Sequence, residues 1–254
     1  TPTDLWFHPT DLWLVIHILD LCTGPYNNAL LLENSMKKTK KELIVTKSNH
    51  LIEASYKLSL DEQRLLYLCI TQLDPRKPLP KDNLLTVTAH QFAEIFKLDA
   101  TNAYRQLEEA SKTLAERWLK TNDKRYRERF RLVFGVRYHD AEGKVTLGFS
   151  PWVVPYLTSL QKQFTSLKIS QVANLKSIYS IRLLEFLLQF KSTGKFIIDL
   201  DKFKERLGIE NEYSRFYNFK MRVIEPAVKE LREKSSLLIE WNPIKLGKSV
   251  KQIE

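Results

Sequence analysis

The chain has 254 residues, is 43% hydrophobic with 7 Gly and 10 Pro, and carries a net charge of +10. That composition excludes a disordered chain, the length suits two domains, and the basic balance favours a polyanionic partner, nucleic acid or an anionic membrane surface. Cys22 and Cys69 are too few for a disulfide scaffold and read as free thiols of a reducing cytoplasm.

Residues 1–41 form an atypical N-terminal segment. Residues 1–35 hold Asp4, Asp11, Asp20 and Glu33 but no Lys or Arg. Leu12-Trp-Leu-Val-Ile-His-Ile-Leu19 is apolar but too short to span a bilayer, and no basic n-region precedes it as in a signal peptide. Pro2-Thr-Asp-Leu-Trp6 returns as Pro9-Thr-Asp-Leu-Trp13, seven residues on. Seven codons are twenty-one nucleotides, about two turns of B-DNA at ~10–10.5 bp per turn. Met36 then opens Lys37-Lys-Thr-Lys-Lys41, which looks like an ordinary protein start. One expectation is that residues 1–35 are read-through of DNA upstream of Met36, the repeated peptide being the coding shadow of a tandem DNA repeat. The other is a genuine arm that buries Trp6, Trp13 and the leucine run on the body.

The first domain is expected over 42–150. Ser59-Leu-Asp-Glu62 fits a capping box, and the helix it starts runs to about Gln72, before Asp74-Pro75. Leu84-Leu-Thr-Val-Thr88 reads as a strand, Phe92, Ile95 and Phe96 as a short helix face, and Lys97-Leu-Asp-Ala100 as a turn. Thr101 or Asn102 then caps a helix whose apolar side is Tyr104, Leu107, Leu114 and Trp118. Beyond it Arg125, Arg127, Arg129 and Arg131 alternate at period two and share one face of a strand. That strand is expected to continue through Tyr138, turn at Asp140-Ala-Glu-Gly143 and return along 144–149. A ladder of arginines on such a hairpin suits phosphate contacts.

Residues 151–167 read as a junction, and 168–254 as a second domain. Phe196-Ile-Ile-Asp-Leu200 is β-prone, and Asp201 can cap a helix with Phe203 and Leu207 on its apolar face, stopped by Gly208. A second helix follows, with Phe219, Val223 and Ala227 on one side and Arg215, Asn218, Lys220 and Arg222 on the other. Pro226 is expected to bend it near Ile224. Ser236–Trp241 reads as a strand and Lys245-Leu-Gly-Lys248 as a basic turn, with the hairpin cut short at Glu254. Two helices joined by a Gly-containing turn, then a hairpin, is the pattern of a winged helix-turn-helix. It occurs twice: Val87 and Phe92 match Ile198 and Phe203, and an Arg-Leu-Leu helix precedes each copy. The fold class is therefore α+β, two tandem winged helices.

Enzymatic readings find little support. The five histidines are scattered with no His-x-His pair, and Asp199-Leu-Asp201, the lone D-x-D, sits where capping explains it. No Gly-rich loop with Lys-Ser/Thr suggests an ATPase, and no cofactor is expected.

Ala103-Tyr-Arg-Gln-Leu107, Phe164-Thr165, Tyr179-Ser-Ile-Arg-Leu-Leu-Glu185 and Tyr213-Ser-Arg-Phe-Tyr-Asn-Phe-Lys-Met-Arg-Val223 with Pro226 carry a resemblance. Over residues 42–254 the chain resembles the replication initiator proteins of iteron-controlled bacterial plasmids. The resemblance implies a cytoplasmic, non-enzymatic protein that binds iterons, the tandem repeats of the plasmid origin. It implies sequence-specific contacts from the C-terminal winged helix: Arg215, Tyr217, Asn218, Lys220, Met221, Arg222, Lys245 and Lys248. Backbone contacts are implied from the N-terminal one: Asn102, Arg105, Arg125, Arg127, Arg129 and Arg131. Met221 departs from the basic residues common at its place and offers apolar contact, for example to a thymine methyl. The resemblance further implies a homodimer that represses its own gene and recruitment of the host initiator and replicative helicase. A winged-helix repressor without initiator activity is the alternative, and no membrane role is expected.

Overall fold

A computed structural model describes residues 42–122, 127–235 and 237–254. The segment 1–41 and Arg125 lie outside the described residues. The first winged helix begins with α2 (Leu60–Ile70), after a short α1 (Asn49–Glu53). Its capping box is formed: Ser59 Oγ accepts from the Glu62 amide at 3.2 Å and Glu62 accepts from the Ser59 amide at 2.7 Å. There follow β2 (Leu84–Thr88), α3 (Ala89–Phe96) and α4 (Ala103–Glu116). A strand pair β3 (Trp118–Asn122) and β4 (Arg127–Arg131) comes next, then β5 (Val133–His139) and β6 (Lys144–Phe149). The sheet order is β2-β6-β5, antiparallel.

The second winged helix repeats the plan. Past β7 (Phe164–Lys168) and α5 (Ile169–Val172) come α6 (Ile178–Gln189), β8 (Ile198–Asp199), α7 (Leu200–Arg206) and α8 (Phe216–Phe219). A π-turn over Lys220–Ile224 leads into α9 (Glu225–Lys234), then β9 (Pro243–Leu246) and β10 (Ser249–Ile253). The sheet order β8-β10-β9 again puts the last strand between the other two. Val87, Phe92, Ile198 and Phe203, the matched positions, are all buried.

Five local expectations are corrected. The arginine strand β4 pairs with β3, Trp118 opposite Arg131, and not with β6, so it forms a hairpin separate from the wing β5–β6. Trp118 is not on the helix. α4 ends at Glu116 because extended Arg117 is held by the buried Glu62 carboxylate, Nε reaching both oxygens at 3.0 and 3.1 Å. Residues 237–242 form no strand: Arg232 Nε takes the Ile239 carbonyl at 2.7 Å, and Asn242 alone reaches across to Glu254. The hairpin of the second wing is not cut short, since β10 supplies its second strand. Asp199, not Asp201, stands at the start of α7, and Gln252 occupies its carboxylate at 3.0 Å. At Pro226 the irregularity takes a definite form. In a regular α-helix its ring would strike the carbonyl of Arg222. The π-turn removes that clash: the Glu225 amide reaches back five residues to Lys220 O, and Pro226 falls in the first turn of α9.

Between the winged helices lies a layer made by β1 (Ile44–Ser48) and β7, paired antiparallel from Ile44↔Lys168 to Ser48↔Phe164. Buried beside it, Glu185 of α6 pairs with Lys47 and with Arg182 at 2.7 Å and accepts from the Tyr67 hydroxyl at 2.6 Å. Burial alone would raise this carboxyl, but the charges of Lys47 and Arg182 and the bonds from Lys47 and Tyr67 hold it below its ordinary range. Gly208, at the turn of the second helix-turn-helix, has φ +68. A Cβ there would also stand 2.9 Å from the Lys57 Cβ and the Tyr56 carbonyl carbon.

Gly208→Ala meets both penalties and should cost about 1–3 kcal/mol in chemical denaturation. Glu185→Gln should cost about 3–5 kcal/mol at neutral pH, because it leaves buried cations without their counter-charge. Since the folded carboxyl lies below its ordinary 4.5, its contribution is complete above that pH and is lost as pH falls through the folded value. The gap between wild type and Glu185→Gln, read from denaturation curves across acid pH, should therefore narrow on acidification.

Candidate nucleic-acid interface

The second recognition segment is built on an apolar anchor. Phe219 is fully buried against Phe203 (5.9 Å between centroids) and Tyr213 (6.1 Å), and Val223 and Ala227 continue the buried side. Lys204 Nζ, itself buried, donates to the Tyr213 carbonyl at 2.9 Å and fixes the turn before α8. The opposite side faces water: Arg215, Tyr217, Met221 and Arg222 are exposed and Asn218 is partly so. Tyr217 is 68% and Met221 47% exposed, large side chains that present apolar surface to water. From Ser214 to Ile224 there is no acidic residue. Lys220 is drawn back from this face, 3.6 Å from Glu225 and 5.6 Å from the Trp241 ring centroid.

The wing beside this helix is cationic. Lys245 and Lys248 are exposed on β9 and at the turn, where Gly247 has φ +62. The structure adds Lys251, exposed on β10 where the pairing register slips between Val250 and Gln252. It was overlooked because the hairpin was expected to stop short; the alternation Ser249-Val-Lys-Gln-Ile253 was the available signal. Three lysines on a hairpin and a basic, acid-free helix face offer the cations that phosphates attract, and Asn218, Arg222 and Met221 are side chains of the types that pair with or pack on base edges.

The first winged helix is built differently. On α4, Arg105 and Lys112 are exposed together with Glu108, Glu109 and Glu116, so its outward face is net acidic. Asn102 and Arg105 are turned toward each other: the Asn102 amide donates to Asp99 at 3.3 Å and its oxygen accepts from Arg105 at 3.2 Å. The Asp99 carboxyl is held below its usual range by hydrogen bonds from the Thr101 hydroxyl and amide. The wing tip carries Asp140 and Glu142, and Tyr104 donates to Asp140 at 2.5 Å, which pushes the phenol up to about 12. The positive surface of this domain is the hairpin β3–β4. Arg127, Arg129 and Arg131 point outward from β4, with Phe130 buried between them. Arg129 lies 4.4 Å and Arg131 5.2 Å from the centroid of the Trp118 ring. The sequence reading missed this role for Trp118: its ring lies against both guanidiniums, and Arg131 Nη1 also donates to the Ala115 carbonyl at 3.3 Å.

Two winged helices in tandem, each with a sheet of the same strand order, and a basic helix face with a cationic wing define a winged-helix DNA-binding protein. Residues 44–188 match the family described as "Initiator Replication protein, WH1" and residues 199–254 the one described as "Initiator Rep protein, WH2". The chain belongs to this family of replication initiators. It is 30% identical over 204 residues to a "Replication initiation protein" of Escherichia coli, a match covering 77% of this chain. The chain spans 64% of that relative's length. It is 27% identical over 235 residues to the "PI protein" of Escherichia coli, covering 79% of this chain and 76% of that one. The fold aligns with the crystal structure of the Pi initiator protein in complex with iteron DNA at a TM-score of 0.71 and 23% identity. That alignment covers 84% of this chain and 96% of the other.

The two surfaces should fail differently. Arg222→Ala should lose about 1–3 kcal/mol on a preferred sequence and little on scrambled DNA. Arg127→Ala should weaken both alike and lower the slope of log K against log salt by about 0.9. Fluorescence anisotropy on the two duplexes across a salt series measures both effects.

Proposed function

We propose that this chain is an initiator of plasmid replication that binds iteron repeats of double-stranded origin DNA. The observation that carries the reading is the exposed, acid-free face from Arg215 to Arg222 on a helix-turn-helix flanked by Lys245, Lys248 and Lys251. Its fold likeness to an initiator solved on iteron DNA and its initiator family support the same reading. The second winged helix supplies base recognition. The first supplies backbone contacts through Arg127, Arg129 and Arg131, with Asn102 and Arg105 at the start of α4. Action is by binding rather than catalysis, in the bacterial cytoplasm. A homodimer represses the chain's own gene, and host initiator and helicase are recruited once the origin opens. Domain limits of 42–150 and 168–254, with 151–167 between them, fit this division of labour.

The twenty-one-nucleotide period encoded by residues 2–13 gives the test. Residues 36–254 should bind a duplex carrying the natural coding repeat at least tenfold more tightly than scrambled DNA, one protein per repeat, at physiological salt. A plasmid carrying those repeats with the gene should replicate, and one with Arg222→Ala should not. Repression of the adjacent promoter without replication would assign a repressor instead.

A further inference from the structure

The two Arg-Leu-Leu helices meet in the folded chain. Tyr67 stands three residues after Arg64 on α2, and Glu185 three after Arg182 on α6, so the two occupy corresponding places in the repeats. The Tyr67 hydroxyl donates to Glu185 Oε1 at 2.6 Å, directly joining one winged helix to the other. Lys47 of the intervening β1 pairs with the same oxygen. Arg182 Nη1 donates to the other oxygen at 2.7 Å and to the Tyr56 hydroxyl. Its Nη2 reaches the carbonyls of Ile52 at 2.8 Å, Ala54 at 3.3 Å and Arg206 at 3.0 Å. Arg64 reciprocates, Nη2 donating to the Leu175 carbonyl at 3.2 Å. All these side chains are buried, and none belongs to the DNA-facing surfaces.

Stability alone does not account for such a cluster, since apolar packing of the same volume is often as stable or more so. What the cluster adds is direction. An apolar contact between two helices tolerates small rotations; a carboxylate bonded from three elements, beside a guanidinium bonded to three carbonyls, does not. DNA makes direction matter. Each added base pair carries a footprint about 3.4 Å along the axis and about 35° around it.

We propose that Glu185 and Tyr67, together with Lys47 and Arg182, are positioning residues. They fix the angle and offset between the two winged helices, so that the chain accepts its two DNA footprints at a single spacing along the duplex. The proposal rests on sequence-specific DNA binding by the second winged helix.

The test uses the full chain with Glu185→Gln and, as a milder change that keeps the ring and all charges, Tyr67→Phe. A duplex enriched from a random pool by the wild type is footprinted. Two base pairs are then inserted between the stretch protected by the second winged helix and that protected by the first. Insertion should cost the wild type about 10²-fold in affinity, and each variant no more than about fivefold, as linked sites lose avidity only when geometry forbids both. In the absence of DNA, nitroxide labels at Lys112→Cys and Lys229→Cys, in a Cys22→Ser chain, should give a narrow distance distribution in the wild type. Both variants should broaden it. A variant that merely loses stability would bind both duplexes less but keep their ratio. Variants that keep the full insertion penalty and the narrow distribution overturn the proposal. A wild type that enriches no sequence overturns instead the DNA-binding reading beneath it, and the label distances still decide whether the cluster sets the geometry.

Discussion

The Glu185 carboxylate is the point on which the arrangement of this molecule turns. It is buried where the two winged helices and their connecting layer meet, and it is bonded by Lys47, Arg182 and Tyr67 at once. A charge in that place is tolerable only because its partners are in reach and correctly aimed. Each partner comes from a different part of the chain: Lys47 from β1, Tyr67 from α2, Arg182 from its own helix α6. The three parts cannot drift independently without leaving a buried charge unpaired. The close approach at Gly208 adds a steric limit to the same arrangement, since the turn before the recognition helix lies against the backbone of Tyr56 and Lys57.

That arrangement places two unlike surfaces on one frame. The second recognition face is exposed, cationic and free of acid from Ser214 to Ile224, with Tyr217 and Met221 exposed beside Arg215 and Arg222. The helix at the corresponding place in the first winged helix carries more glutamates than cations, and its wing tip is held by a tyrosine–aspartate bond. Its positive charge sits instead on an added hairpin, where Trp118 backs two arginines. The same scaffold occurs twice, and the two copies carry their exposed positive charge on different elements.

Much of this was legible beforehand, for identifiable reasons. Capping at Ser59 and Glu62 is a contact between residues three apart, so it can be read from the chain alone. The buried faces at Phe92 and Phe96, and at Phe219, Val223 and Ala227, follow helical periodicity. The irregularity at Pro226 follows from a ring that cannot fit a regular helix. Errors arose where a distant residue decides a local outcome. Trp118 continues the helical spacing of Leu114, yet Glu62 holds Arg117 extended and turns the chain out of the helix. Residues 237–242 have strand-like composition, yet Arg232 occupies the Ile239 carbonyl that a neighbouring strand would need.

The sequence by itself determined the two-fold repetition of the winged-helix pattern, the apolar faces that bury each recognition helix and the basic residues left on the outside. These depend on spacing and composition within a few turns of chain. Only the tertiary structure decided which strands pair with the arginine ladder, how far Lys220 is withdrawn from the exposed face of its helix, and that Tyr67 meets Glu185. Those outcomes depend on pairings between residues far apart in sequence, and the energy of a buried charge is set by whatever folding brings beside it.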